Sequence, residues 1–289
     1  MNLKHFRVYF TEKLESIFPK TEIDTFFFLL IEEYLGLQRI DFTLQPTLEI
    51  PSKKYDLLNT ALTRLQKEEP IQYILGKTEF YGYPFKVNEN TLIPRPETEE
   101  LVEWILNKVK ELGLENNKQQ LSILDIGTGT GCIPISLKKE LPGAKVSAID
   151  VSEEALKVAK ENALLNKAEV TFILQDILQT ESLSEQYNVI VSNPPYVREL
   201  EKVEIKNNVL ENEPHSALFV DDDNPLIFYK KIADLAIKSL TKNGLLFFEI
   251  NQYLGKETVD MLKRKGFTKV ELRKDLFGNN RMIKATYQA

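Results

Sequence analysis

The sequence predicts an α/β fold: a mostly parallel, doubly wound sheet with a closing antiparallel C-terminal strand, preceded by a small all-α domain. Three observations predict it. From residue 121 onward, short β-branched runs alternate with amphipathic helical stretches. Before about residue 76 the apolar spacing is helical only. Glycine and proline motifs fall where strands should end. The expected division is a helical domain over 1–76, a β-hairpin linker over 77–92 and a sheet domain over 93–289.

In the first segment Phe6, Phe10, Leu14 and Ile17 recur at helical spacing. Thr21 is a candidate N-cap for a second helix, with Ile23, Phe27, Leu30 and Tyr34 on one face and Gly36 as its C-terminal stop. Pro51-Ser52 opens a third, with Tyr55, Leu58, Leu62 and Leu65 apolar. No catalytic cluster falls here, so the segment reads as a docking module for a large partner or as packing. Residues 77–92 are aromatic and β-prone, broken by Gly82 and Pro84, which predicts a hairpin. In Ile93-Pro94-Arg95-Pro96-Glu97-Thr98 the paired prolines fix an extended lead into a helix whose apolar face is Val102, Ile105, Leu106 and Val109. Arg95, held between them, is a candidate wall of the site or a surface residue. Residues 115–120 read as a polar loop. Strands follow at 122–126, 146–149, 170–174, 189–192 and 245–250, with a closing pair near 269–272 and 281–286.

Composition sets the outer limits. A hydrophobic fraction of 43% with 28% charged residues is that of a globular chain of 289 residues. The net charge of −6 argues against duplex nucleic acid as the main partner, which needs a basic face. Cys132 is alone and cannot form an internal disulfide, and with two histidines, His5 and His215, no zinc site is expected. No signal-peptide core is visible near Met1, and the run 26–31 is too short to span a bilayer. A cytoplasmic protein is expected.

The first strand runs into Asp125-Ile126-Gly127-Thr128-Gly129-Thr130-Gly131-Cys132. Alternate glycines let the backbone turn sharply and let a ligand approach it. A dinucleotide fingerprint needs its third glycine one place later, where Cys132 stands, and no Gly-Lys-Ser/Thr follows to make a phosphate loop. Gly127, Thr128, Gly129, Thr130 and Gly131 therefore suit a ligand without a pyrophosphate. Asp150, ending the second strand, is placed to accept from two ribose hydroxyls, or to cap the helix beyond. After the third strand, Asp176 can accept from an exocyclic adenine amine and Ile177 can cover its ring. The ligand implied has a ribose and an adenine but no phosphate, and S-adenosylmethionine fits that description.

The fourth strand stops at Asn193-Pro194-Pro195-Tyr196. Two prolines cannot continue a ladder, so the chain leaves the sheet at its C-terminal edge, where open α/β sheets bind ligands. The Asn193 amide, the Pro194 carbonyl and the Tyr196 ring can together grip a planar NH2 group, with Pro195 beside them. Asn193 faces both cofactor and substrate.

This ordered series resembles the class I, Rossmann-like methyltransferases. Within them it is similar to the protein-(glutamine-N5) methyltransferases that act on bacterial peptide release factors. The resemblance spans nearly the whole chain, including Pro70-Ile71-Gln72-Tyr73-Ile74-Leu75-Gly76 and the Ile-Pro-Arg-Pro-Glu-Thr-Glu stretch. It implies that residues 127–131 hold the methionine end of S-adenosylmethionine, Asp150 the ribose, and Asp176 and Ile177 the adenine. It implies that Asn193, Pro194 and Tyr196 hold the glutamine amide of a class 1 release factor. No metal, no membrane, no direct nucleic-acid partner and a monomeric enzyme are the accompanying expectations. His215, Asn251 and Asn224-Pro225-Leu226 depart from the residues such proteins often carry. Glu249 and His215 are expected to be structural rather than general bases. Two other readings stay open: N5-glutamine methylation of a ribosomal protein, and amino methylation of adenine or guanine in nucleic acid.

Overall fold

The computed structural model describes residues 1–114 and 120–288. The polar loop expected over 115–120 lies, apart from Gln120, outside them. The chain divides into two compact units, Met1–Gly76 with Lys206–Asn212, and Lys77–Ile205 with Glu213–Ala289.

The first unit holds helices α1 (Leu3–Leu14), α2 (Lys20–Leu35), α3 (Arg39–Leu44), α4 (Ser52–Leu65) and α5 (Ile71–Leu75). Asn2 caps α1, its side chain accepting from His5 N at 3.0 Å. Ile17, expected on the α1 face, lies beyond the helix end and is exposed. Pro19, not Thr21, precedes α2. The extended Pro19 backbone already turns its carbonyl to the amides of Glu22 and Ile23, so Thr21 falls inside the first turn. Gly36 ends α2 in the left-handed region, φ 69°. Helices α3 and α5 were not legible because one turn and a half shows no periodicity. The core is apolar: Phe6, Phe10 and Phe27 pack on Leu30, Leu58 and Leu62.

The second unit begins with a hairpin, β1 (Lys77–Phe80) and β2 (Tyr83–Lys86), turning through Tyr81 and Gly82, both at positive φ. Then follow α6 (Pro96–Glu111), β3 (Ser122–Ile126), α7 (Cys132–Glu140), β4 (Lys145–Asp150), α8 (Glu153–Asn166), β5 (Thr171–Leu174) and β6 (Tyr187–Ser192). Between the short pair β7 (Val197–Arg198) and β8 (Phe219–Val220), the chain runs through a 3₁₀ turn at Glu199–Glu204, through α9 (Asn207–Leu210), which belongs to the first unit, and through α10 (His215–Leu218). The unit closes with α11 (Ile227–Ser239), β9 (Leu240–Glu249), α12 (Gly255–Arg264), β10 (Phe267–Lys274) and β11 (Asn280–Tyr287). The hairpin is not free-standing. Phe80 and Phe85 enter the core, and Asn162 and Asn166 of α8 donate to the carbonyls of Lys86 and Pro84.

The described residues form a seven-stranded sheet in the order β10-β11-β9-β6-β3-β4-β5. Strands β5, β4, β3, β6 and β9 are parallel, and β11 and β10 close the sheet antiparallel to their neighbours. Side chains alternate between its two faces. Ile123, Val189, Val191, Leu245 and Phe247 pack with α6 and α7, whereas Leu124, Ile190, Leu246 and Phe248 pack with α11 and α12. That parity carries on to the strand ends. Asp125, Asn193 and Glu249 all fall on the α6 side, at the C-terminal edge.

Candidate active site

A cavity of about 300 Å³ opens along this edge. Its lining includes Gly127, Thr128, Gly129, Thr130, Asp150, Asp176, Ile177, Asn193, Pro194 and Pro195, together with Arg95 and Thr98 from the start of α6. Gly131 and Tyr196 are not among the lining residues.

The glycine loop is held by the neighbouring strand. Gly127 N and Thr128 N donate to Ile149 O at 2.8 and 3.1 Å, and Gly129 N donates to Asp150 Oδ2 at 2.8 Å. Asp150 Oδ1 accepts from Ser152 N at 2.9 Å. Each Asp150 oxygen thus uses one acceptor site on protein and keeps another. Gly131 sits at φ 79° as the residue before α7, and a Cβ there would stand 3.0 Å from Ile135 Cδ1 and 3.2 Å from Ala159 Cβ. Its role is close helix packing rather than lining. Asp176 Oδ1 accepts from Leu178 N at 2.8 Å, and the residue is otherwise exposed to the cavity, with Ile177 buried behind it.

Beneath the loop lies a group to which the motif's spacing assigns no role. Asp125 is fully buried, and neither carboxyl oxygen has a hydrogen-bond partner among the described residues. Burial pushes its pKa up to about 7; the nearby Thr128 hydroxyl, short of hydrogen-bond geometry, draws it down, and the Asp150 charge adds to the rise.

On the other side, the Asn-Pro-Pro-Tyr turn meets the loop. A Cβ on Gly127 would be 4.0 Å from Asn193 O, and Ser192 Oγ donates to Ile126 O at 2.6 Å. Asn193 Nδ2 donates to Thr98 Oγ1 at 3.4 Å. Asn193 Oδ1 and Pro194 O have no partner among the described residues. The Tyr196 hydroxyl donates to Glu249 Oε1 at 3.1 Å, and its ring packs among the apolar residues of the α11 face. Asn251 Nδ2 donates to Tyr196 O at 2.9 Å and to Glu201 Oε2 at 2.8 Å. The departure at Asn251 therefore fastens the backbone of the turn.

Thr98 and Glu249 were not among the expected site residues. Thr98 Oγ1 donates to Glu249 Oε2 at 2.6 Å, deep in the protein. Burial raises the pKa of Glu249, against the Thr98 hydrogen bond, the Arg281 charge and the Tyr196 hydrogen bond. Strand parity, counted on from Leu245 and Phe247, was the available signal. Glu213 is another buried carboxylate here. It accepts from Ile93 N at 3.1 Å and from Arg95 Nη2 at 2.5 Å, which fixes the Pro-Arg-Pro wall. His215 stands edge-on to Phe219 with ring centroids 5.2 Å apart. Among the described residues no helix is long and apolar enough to cross a membrane, and no cluster could hold a metal.

Comparison with known proteins gives this arrangement its family. Residues 109–218 match the methyltransferase small domain and residues 8–76 match the PrmC N-terminal domain. The chain is 54% identical over 288 residues to the release factor glutamine methyltransferase of Flavobacterium psychrophilum, covering 100% of both. This chain belongs to the release factor glutamine methyltransferases. The same-named protein of Bacteroides thetaiotaomicron is 44% identical, over 96% of this chain and 97% of that one. The 16S rRNA N2 G1207 methyltransferase of T. thermophilus, solved with AdoMet and guanosine, shares the fold alone, with a TM-score of 0.52 and 17% identity over 73% of this chain and 50% of that one. The class I methyltransferase sheet expected from the sequence is the sheet observed, mostly parallel with an antiparallel C-terminal pair, and the N-terminal unit is helical as expected.

Proposed function

We propose that this family member uses S-adenosylmethionine to methylate the side-chain amide nitrogen, N5, of the glutamine in the Gly-Gly-Gln loop of class 1 peptide release factors. One observation supports this most directly. Two acceptors, Asn193 Oδ1 and Pro194 O, stand without partners in the wall of the cavity that the glycine loop also lines. A primary amide has two N–H hydrogens to give them.

The residues present fit the cofactor. Gly129, at positive φ with nothing within 4 Å of an added Cβ, leaves open space over the loop, Asp150 keeps acceptor sites for a diol, and Asp125, without a hydrogen-bond partner among the described residues, lies buried beneath the loop. S-adenosylmethionine supplies, when bound, an electrophilic methyl group on a sulfonium.

The chain's own work is positioning and electrostatics. An amide nitrogen is a weak nucleophile because its lone pair is shared with its carbonyl. Acceptance of both its hydrogens by Asn193 and Pro194 draws density back onto nitrogen. The Tyr196 ring, which stands outside the cavity lining, supports the turn from behind through its hydroxyl on Glu249, and the proton can leave after transfer, so no strong base is needed. Arg95, immobilised by Glu213, walls the site. The enzyme acts as a monomer on a partner of the translation apparatus, hence in the cytoplasm, without direct nucleic-acid contact.

The test is mass spectrometry of purified release factor, ribosomal proteins and tRNA after incubation with the enzyme and labelled cofactor. One methyl on the Gly-Gly-Gln glutamine is expected. Label on a ribosomal protein or on RNA, with none on the release factor, would overturn the substrate assignment.

A further inference from the structure

Glu249 is the common end of two hydrogen-bond chains. Its Oε2 accepts from the Thr98 hydroxyl at 2.6 Å, and that hydroxyl accepts from Asn193 Nδ2 at 3.4 Å. Its Oε1 accepts from the Tyr196 hydroxyl at 3.1 Å, and that hydroxyl accepts from Arg281 Nη1 at 3.5 Å. Each hydroxyl has one proton to give. An ionised carboxylate has none. Thr98 must therefore spend its proton on Glu249 and can only accept from Asn193. That obliges Asn193 to present its NH2 to Thr98 and turns its Oδ1 away from Thr98. A protonated Glu249 removes this constraint: the acid can donate to Thr98 Oγ1, and Thr98 can then donate to Asn193 Oδ1, presenting the amide's NH2 to the incoming substrate. Two NH2 groups facing one another repel.

We propose that Glu249 and Thr98 are positioning residues that set the polarity of the Asn193 amide, so that its oxygen, not its nitrogen, receives the substrate N–H. This rests on the grip assigned to Asn193 above. It predicts that methyl transfer depends on the ionisation of a residue that never touches either reactant.

The surroundings of Glu249 allow its titration to be read. Facing it are Glu97 and Thr98 of α6, Cys132 of α7, Tyr196 after β6, Tyr229 of α11 and Arg281 of β11. Burial raises its pKa and Glu97 adds to the rise, while Thr98, Arg281 and Tyr196 oppose it. Burial holds the Tyr196 and Tyr229 phenols above their ordinary range and pushes the Cys132 thiol up to about 12. None of these three exchanges a proton on the acid side of neutrality. Asp125, its pKa pushed up to about 7, titrates in the same range but lies beneath the glycine loop, where it bears on cofactor affinity. With cofactor saturating, the rate should therefore fall as pH drops through the raised pKa of Glu249.

The experiment measures single-turnover methyl transfer to purified release factor from pH 5 to 9, with cofactor affinity by calorimetry, for the wild type and for Asn193→Ala, Thr98→Val, Thr98→Ser and Glu249→Gln. Thr98→Val and Glu249→Gln should each lose at least ten-fold in rate at neutral pH while binding cofactor within about two-fold of wild type. Both should lose the acid limb. Thr98→Ser, which keeps the hydroxyl, should recover the rate to within about three-fold and keep the limb. Wild-type rates and an intact acid limb in Thr98→Val and Glu249→Gln would overturn the polarity role. So would a loss of cofactor affinity as large as the loss of rate that Thr98→Ser does not restore. A normal rate in Asn193→Ala would instead remove the grip itself, so the two failures are separable.

Discussion

The two sides of the cavity are built from different material. Around Gly127 and Asp150 the shape is made by main chain: positive-φ glycines, amide donors to Ile149 O and to the Asp150 carboxylate, and one tight helix contact at Gly131. Around Asn193 it is made by side chains handing protons along from Asn193 to Thr98 to Glu249, and from Arg281 to Tyr196 to Glu249. A wall of backbone depends on conformation and survives many side-chain changes. A wall of buried polar side chains depends on every donor meeting an acceptor, because an unpaired buried group costs about 1–3 kcal/mol. The second kind can switch state with one proton, and the first cannot.

Asp125 is the exception on the backbone side, and the place where the contrast breaks most visibly. Its pKa rises from 3.8 to about 7 on burial. The folded state holds a proton that the unfolded chain releases over that window, so stability falls as pH rises through it. That rise is equivalent to at most about 4 kcal/mol at pH 8. Asp125→Asn should therefore melt higher than wild type at pH 8, with little difference at pH 4, while cofactor binding weakens. Thermal melts at the two pH values check the first part and calorimetry the second. Equal melting at both pH values would show that the carboxyl is not carried as a buried charge.

The backbone side is sharpened by two alanines. Gly131→Ala adds a Cβ 3.0 Å from Ile135 Cδ1 at φ 79°, whereas Gly127→Ala at φ 77° meets only Asn193 O at 4.0 Å. Gly131→Ala should cost about 2–3 kcal/mol and Gly127→Ala about 1, since the first adds overpacking to the shared backbone strain. Denaturant unfolding of both measures the difference. Equal losses would mean that helix packing at Gly131 contributes nothing beyond conformation.

The same division explains which features are legible in the sequence. The glycine loop, Asp150 and the Asn-Pro-Pro-Tyr turn are contiguous motifs at strand ends, and a strand followed by Gly-x-Gly or Pro-Pro can only end. The parallel order follows from alternating elements. The hydrogen bonds that polarise Asn193 join residues 95 apart, and those on Glu249 join residues 151 and 53 apart. Local spacing cannot express such a meeting. Tyr196 was legible as part of the turn, but not that its hydroxyl is tied to Glu249 or that it stands outside the cavity lining. Asn251 read only as a departure; its bond to Tyr196 O needed the fold.

On the side-chain half, Asn193→Ala removes one of the two acceptors proposed for the substrate amide. A loss of at least ten-fold in single-turnover rate is expected, about 1.4 kcal/mol of transition-state stabilisation, with cofactor affinity changed less. An unchanged rate would falsify the grip.

Tyr196→Phe gives the smallest effect and the finest discrimination. The ring stays in place among the apolar residues of the α11 face, and only the hydroxyl is lost. Glu249 then keeps the Thr98 donor that orders Asn193 but loses its second donor, and Arg281 loses an acceptor. The polarity of Asn193 is preserved, so the neutral-pH rate should fall only about two- to four-fold, under 1 kcal/mol. Losing a hydrogen bond to the charged form raises the pKa of a carboxyl. The acid limb of the rate profile should therefore move to higher pH than in wild type, the opposite of its disappearance in Glu249→Gln. A limb that stays where it was would mean that Tyr196 does not help hold the charge on Glu249, and that only the Thr98 arm of the network matters to the amide.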